Sequence, residues 1–250
     1  MKNLQLKDKS VLITGADSGI GKAIALLFAK EGANIAFIHY HDAKDAQKTS
    51  KEIEELGKKV LSFEGDINDS KFCESVVDEV ASGFGGIDIL INNAGTQFPS
   101  DTIENLQEEN IRKTFNSNII GMMLLTKAVF PHLKKGDVII NTTSATAYLG
   151  HEELLDYSAT KGAIVSFTRS LALQAKPQGI RVNAVAPGPV ATPLTEKTFG
   201  EEDEDTDKPP LERNASTEEV AASFLFLATD ASAQITGQVL HPNGGLIVNG

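Results

Sequence analysis

The sequence predicts an α/β protein: a single doubly wound domain in which a mostly parallel, seven-stranded sheet is flanked by helices on both faces. Three observations carry this. Short apolar runs alternate with helix-spaced segments almost to the C-terminus. The runs are nearly continuous rather than alternating, the pattern of strands covered on both faces. The strand–helix alternation itself favours parallel pairing through helical crossovers. No Pro/Ser-rich linker interrupts the pattern before residue 186 and no internal repeat is visible, so the 250 residues read as one domain. That length is near the upper limit for a single core.

Taken in order, strands are expected at residues 10–14, 34–39, 59–63, 87–92, 137–142, 180–184 and, as a last short one, 238–241. Helical spacing marks 21–30, 43–56, 70–81 and 160–175. The exception is 187–214, with five prolines and the acidic run 201–207 (EEDEDTD), six negative charges in seven residues. Two readings stand for it: a solvated surface loop, or a mobile lid at about 189–214 over the site, since long loops in compact domains are often functional.

Composition narrows the function classes. Hydrophobic residues make up 41% and charged residues 23%, with a net charge of −11. An acidic surface repels phosphate backbones, which argues against a nucleic-acid partner. The one cysteine, Cys73, can form no intrachain disulfide, in keeping with a reducing compartment. The first nine residues lack the apolar core of a signal peptide. The most apolar helical stretch, 23–29, lies between Lys22 and Lys30 and is too short to cross a bilayer. A cytoplasmic location with no membrane partner is expected.

The first expected strand runs into residues 14–21 (TGADSGIG) and then a helix. Gly15 permits a tight turn, Gly19 lets the backbone approach a pyrophosphate, and Gly21 lets helix and sheet pack closely. The N–H groups at the helix start would face the phosphates. This is the arrangement of a Rossmann-type dinucleotide site, with Gly-x3-Gly-x-Gly spacing in place of the commoner Gly-x-Gly-x2-Gly.

Tyr157 and Lys161 lie four apart in a helical segment and so project from one face. Free tyrosine, with a pKa of about 10, is a poor base near neutrality. An ammonium group beside it is expected to favour the phenolate and lower that value. Ser144 closes the fifth expected strand (NTTS) at its C-terminal edge, where open α/β sheets place ligands. Its hydroxyl could bond a substrate carbonyl or alcohol.

With these motifs in order from about residue 8 to 248, the sequence resembles the short-chain dehydrogenase/reductase family. The matching features are the turn at 14–21, Asn-Asn-Ala-Gly at 92–95, Asn118 (NSNIIG), Ser144, Tyr157 with Lys161, Pro187-Gly188 with Thr192, ITGQ at 235–238 and NGG at 243–245. Within the family, the stretch 140–171 is most similar to bacterial oxidoreductases of the glucose 1-dehydrogenase-like and general-stress type. The resemblance implies a catalytic set of Asn118, Ser144, Tyr157 and Lys161. Tyr157 would be general acid in carbonyl reduction and general base in alcohol oxidation. Lys161 would tune Tyr157 and bind the nicotinamide ribose, Ser144 orient the substrate oxygen, and Asn118 hold a water linking Lys161 to solvent. It implies an NAD(P)(H) cofactor contacting Gly15, Ser18, Gly19, Ile20, Gly21, His39, Asp66, Ile67, Asn93, Ala94, Gly95, Pro187, Gly188, Val190 and Thr192, besides Tyr157 and Lys161. Asp66 and Ile67 fall at the adenine, Asn93 to Gly95 at the adenosine ribose, and Thr192 at the nicotinamide carboxamide. A homo-oligomer, tetramer or dimer, is implied as well.

At the end of the second strand, an acid would select NAD and a nearby base NADP; His39 and Tyr40 stand there and give neither signal. His39, His41 and Lys44 could supply weak positive charge, whereas Asp42 could swing to a ribose. The balance tips slightly to NADP tolerance. No Cys or further His stands near His39 and His41, so no metal site is expected. His151 precedes Tyr157 closely enough to touch a substrate, though a solvated turn is the simpler reading. The substrate expected is a small carbonyl or alcohol, and an anionic one is disfavoured if the acidic loop closes over it. Two other readings compete with the oxidoreductase. A non-catalytic nucleotide-binding regulatory protein on the same fold has no need for Tyr157. An epimerase or dehydratase would need a longer C-terminal substrate domain.

Overall fold

The computed structural model describes residues 4–199 and 209–248, which include seven strands in one sheet. These are β1 (Ser10–Thr14), β2 (Asn34–His39), β3 (Val60–Glu64), β4 (Ile89–Asn92), β5 (Val138–Thr142), β6 (Arg181–Val185) and β7 (Val239–Leu240). Their order is β3-β2-β1-β4-β5-β6-β7, and every pairing is parallel. The strand expectations hold within two residues at each end; β7 keeps two residues of the four expected.

Period-two geometry explains the unbroken apolar runs. Val11 and Ile13 of β1 face one way and join Ile35, Phe37, Ile89, Ile91, Val138 and Ile140 in one core. Leu12 faces the other way, with Ala36, Ile38, Leu90 and Ile139. The first core is covered by α1 (Gly19–Lys30), α2 (Ala43–Glu55) and, later in the chain, Thr217–Ala228. The second is covered by α3 (Ser70–Phe84), by Met122–Val129 and by Leu155–Ala175. Both faces are therefore dry, as the parallel sheet requires.

Between β4 and β5 runs a rod that the sequence reading did not single out: α4 (Glu108–Phe115), a π-helical segment at Asn116–Gly121, and α5 (Met122–Val129). A short α6 (Thr146–Leu149) leads to α7 (Leu155–Ala175). The helix expected at 160–175 thus starts five residues earlier and takes Tyr157 into its first turn. Segment 187–214 is not loop throughout. Pro193–Phe199 forms α8, with proline in the first helical position where its missing N–H costs nothing. The acidic run 201–207 lies outside the described residues. The last helix, α9 (Thr217–Ala228), opens with a capping box in which Ser216 and Glu219 bond each other's backbone N–H.

The chain leaves β1 toward β2 on one side and returns to β4 on the other. That reversal opens a crevice at the C-terminal strand ends, the place where doubly wound sheets bind ligands. A cleft of about 1690 Å³ lies there, lined from Gly15 and His39 at one end to Ser144, Tyr157 and Leu194 at the other.

Candidate active site

At the first end, Thr14 stitches β1 to β4: its Oγ1 accepts the N–H groups of Asn93 and Ala94, both at 2.9 Å. Asn93 answers with its side-chain amide, donating to the carbonyls of Thr14 (3.2 Å) and Gly15 (3.1 Å). Asn92 turns inward to Thr126 and Asn141. Both asparagines of the Asn-Asn-Ala-Gly segment thus brace the sheet, while Asn93, Ala94 and Gly95 line the cleft. Gly15 takes φ +67° in the turn. Gly21 is forced by contact rather than torsion, since a Cβ there would lie 1.9 Å from the Gly15 carbonyl oxygen. Ser18 stands at the N-cap of α1 without a side-chain cap bond, and no acid occupies the first turn. The leading N–H groups and the positive end of the helix dipole are left for an anion.

Further along, His39 closes β2 and is buried, with Nδ1 unpartnered. Asp66 is exposed, and its Oδ1 accepts the backbone and side-chain N–H groups of Asn68 at 2.9 and 2.8 Å. Ile67 is buried against Gly121, where a Cβ would approach it to 2.5 Å. Asn68 also lines the cleft. The Asp-x-Asn spacing, which favours such an Asx turn, was the available signal for it.

At the far end, Lys161 is 3% exposed and its Nζ donates to the Thr142 carbonyl at 2.9 Å. The same Nζ lies 5.2 Å from the centre of the Tyr157 ring. Thr143 holds the Lys161 backbone through a 2.7 Å bond to its carbonyl, tying α7 to the end of β5. Ser144 Oγ accepts from Thr146 N (3.2 Å) and Thr146 Oγ1 (3.1 Å), and its hydroxyl bonds that of Tyr157. Asn118, in the π-helical segment, is buried. Its Oδ1 accepts Thr96 N at 2.8 Å, and its Nδ2 donates to Thr96 O at 3.0 Å and Thr160 Oγ1 at 3.1 Å. A Cβ on Gly95 would sit 3.3 Å from Asn118 Oδ1 and 3.5 Å from Lys161 Nζ, so its absence keeps the approach to Lys161 open.

One sequence expectation is overturned. In this protein Tyr157 is not lowered by Lys161: burial pushes its phenol up to about 12, against a smaller opposing effect of the Ser144 bond. Burial brings Lys161 down to about 8. Desolvation penalises the charged form of each group and outweighs their proximity. Tyr157 itself is half-buried and lines the cleft.

The Pro187–Thr192 region closes the site. Pro187 accepts Ala145 N at 2.9 Å and Gly188 N donates to Pro242 O at 3.2 Å. A Cβ on Gly188 would meet Asn243 Cα at 2.8 Å, which couples the Pro-Gly and Asn-Gly-Gly matches in space. Val190 and Thr192 are buried and line the cleft. Thr192 is bonded to Thr195 at the start of α8. Gln97, absent from the sequence expectations, spans the opening with a 3.0 Å bond to Thr198 of α8. His151 is exposed at the substrate end, where its Nδ1 accepts Glu153 N. Cys73 is fully buried and free, its thiol pushed up to about 11 chiefly by burial.

These residues fit a nicotinamide dinucleotide. One end offers a glycine cradle at a helix N-terminus, the other a lysine and a tyrosine reachable past a missing Cβ. At about 1690 Å³ the cleft exceeds the roughly 300–1,000 Å³ of drug-sized pockets. Fold and cleft together define a dinucleotide-dependent oxidoreductase.

Comparison with known proteins agrees. A family model described as enoyl-(acyl carrier protein) reductase matches residues 15–247. The uncharacterized oxidoreductase YhxC of Bacillus subtilis (strain 168) is 50% identical over 251 residues, covering 100% of this chain and 88% of that protein. The chloroplastic NADPH-dependent aldehyde reductase 1 of Arabidopsis thaliana is 48% identical, covering 98% and 88%. A crystal structure of a short chain dehydrogenase from Burkholderia cenocepacia J2315 in complex with NADP superposes with a TM-score of 0.91 at 31% identity, covering 96% and 98%. The chain belongs to the short-chain dehydrogenase/reductase family and is an NAD(P)-dependent oxidoreductase. The relatives are oxidoreductases, and the non-catalytic reading finds no support among them. Among the described residues no helix is long and apolar enough to cross a membrane.

Proposed function

We propose that this enzyme reduces small aldehydes with NADPH, Tyr157 giving the proton to the carbonyl oxygen. The observation that carries the reading is the meeting of Ser144, Tyr157 and Lys161 at the end of the cleft opposite the glycine turn. The nicotinamide supplies the hydride; the chain supplies position and the proton. Thr146 donates twice to Ser144 Oγ, leaving the serine hydrogen for Tyr157 or a substrate oxygen. Lys161 spends one hydrogen on Thr142 and keeps two for ribose hydroxyls. A phenol held protonated by burial suits proton donation to a carbonyl better than proton removal from an alcohol. The Arabidopsis relative's name, an NADPH-dependent aldehyde reductase, supports the same direction. The test is the fall in nicotinamide absorbance with glyceraldehyde, benzaldehyde, cyclohexanone and glucose. Turnover confined to the alcohol-oxidising direction would sink the reductase assignment.

The preference for NADPH rests on His39, where an acid would repel a 2′-phosphate and none stands. Side-by-side titration is expected to give tighter binding of NADPH than NADH. His39→Asp should weaken NADPH at least about tenfold, or about 1.4 kcal/mol, and spare NADH. Equal affinities in the unaltered protein would refute the preference.

The same reading makes the enzyme a cytoplasmic homo-oligomer, a tetramer or dimer. Phe115, Ile120 and Met123 along the α4–α5 rod and Leu173 on α7 are exposed large apolar residues, of the kind that subunit contacts cover. Ile247 near the C-terminus is 84% exposed and gains from similar burial. Light scattering should return a multiple of 26.7 kDa; a monomer at micromolar concentration would count against it.

A further inference from the structure

The helix that carries the acid–base pair starts without a capping side chain. Leu154 holds the N-cap of α7 and offers no side-chain bond, so the leading N–H groups must find other partners. Asp156, in the second helical position and 4% exposed, serves one of them: its Oδ1 accepts the Tyr157 N–H at 2.7 Å. Its Oδ2 accepts the hydroxyl of Thr114 in α4, also at 2.7 Å. Thr114 is fully buried, and its Oγ1 lies 2.8 Å from the Asn110 carbonyl as well.

A second link runs from the same rod. Asn118 donates to Thr160 Oγ1 at 3.1 Å, and the Thr160 hydroxyl donates to the Tyr157 carbonyl at 2.7 Å. The backbone N–H and C=O of Tyr157 are thus both gripped by side chains, each leading back to the rod between β4 and β5. The two attachment points, Thr114 and Asn118, are four apart and one turn of the rod from each other. A carboxylate in the first turn is also favoured by the helix dipole. Neither Asp156 nor Thr114 lines the cleft, so neither touches cofactor or substrate.

We propose that Asp156 and Thr114 are positioning residues that fix the Tyr157 hydroxyl against the substrate oxygen. The inference rests on Tyr157 being the acid–base residue. Without the clamp, the Tyr157 N–H loses its side-chain partner and only the Thr160 link to its carbonyl remains, and a displaced hydroxyl costs proton transfer without costing cofactor binding. Conservative replacements should rescue it. In Asp156→Asn the retained oxygen still accepts Tyr157 N–H. The new amide donates to Thr114 Oγ1, whose hydrogen turns to the Asn110 carbonyl.

The experiment measures kcat on the panel aldehyde that reacts fastest, together with the NADPH dissociation constant, for Asp156→Ala, Asp156→Asn, Thr114→Val, Thr114→Ser and Tyr157→Phe. Asp156→Ala and Thr114→Val are expected to lower kcat by about 10- to 100-fold with NADPH affinity unchanged. Asp156→Asn and Thr114→Ser should stay close to the unaltered enzyme. If Asp156→Ala does not fold, the nearly isosteric Thr114→Val carries the test. Unchanged kcat in the folded Ala or Val variants overturns the clamp. A parallel loss of kcat and NADPH affinity does too, as does failure of the Asn and Ser variants to rescue. Full turnover by Tyr157→Phe overturns the acid–base reading itself, and the clamp with it.

Discussion

Tyr157→Phe is expected to cut turnover by about 10²- to 10⁴-fold, the range contributed by a positioned proton donor, and to leave NADPH affinity nearly unchanged. The substitution removes one oxygen and keeps the ring. Lys161 does not depend on that oxygen for its place, because its Nζ is anchored on the Thr142 carbonyl and its backbone on Thr143. Ser144 loses one partner but remains held by Thr146. What disappears is an interaction made in the transition state, so kcat and kcat/KM should fall together. The pH dependence follows from the two burial effects. With its phenol near 12, Tyr157 stays protonated across the working range and gives no break there. Lys161, brought down to about 8, is charged below that value and neutral above it. The kcat/KM for aldehyde reduction, which reports the free enzyme, should therefore be flat below about pH 8 and decline above it. A decline starting near pH 10, or a Phe variant with ordinary kcat, would show the site to be wrongly assigned.

The strands were legible because both sides of the sheet are covered, so that Val11, Leu12 and Ile13 are all apolar though they face two cores. Helix starts were less so. No Ser, Thr, Asp or Asn stands at the Leu154 N-cap to signal the helix start, because the function of a cap is taken over by Asp156 from inside the helix and by Thr114 from another element. The π-helical turn that sets Asn118 against Thr96 and Thr160 is likewise tertiary, invisible to periodicity. Proline and acid at 187–214 suggested irregular chain, yet Pro193 serves as the start of α8. At the site the residue types were readable and their energetics were not. Adjacent spacing suggested that Lys161 would lower Tyr157, whereas the depth at which α7 packs on β5 decides the matter in favour of desolvation.

Gly21→Ala is expected to be the most damaging single methyl in the chain's N-terminal half, for stability and cofactor binding alike. Its Cβ would fall 1.9 Å from the Gly15 carbonyl oxygen, 2.7 Å from the carbonyl carbon and 2.6 Å from Asn93 Nδ2. Those atoms are mostly backbone and cannot rotate away. Gly15 has no slack on its other side, where its own Cβ position lies 3.1 Å from Ala94 Cα and its N–H is bonded to Ile38 O at 2.8 Å. Relief must come from α1 backing off the sheet, which drags the fully buried Ile24 and Phe28 with it, or from the turn opening. Either route costs about 3 kcal/mol or more, roughly 6–12 °C in Tm for a chain of this size. Either also moves the helix N-terminus away from the pyrophosphate, so NADPH binding should fail even in the folded fraction. Gly162→Ala is the matched control. It places the same methyl in α7 beside Lys161, with nothing within 4 Å of the new Cβ, and should stabilise by about 0.5–1 kcal/mol by removing glycine from a helix interior. Calorimetry and NADPH titration on the pair separate a contact-forced glycine from a merely tolerated one. A Gly21→Ala protein with ordinary Tm and NADPH affinity would mean the turn does not cradle the cofactor as its geometry requires.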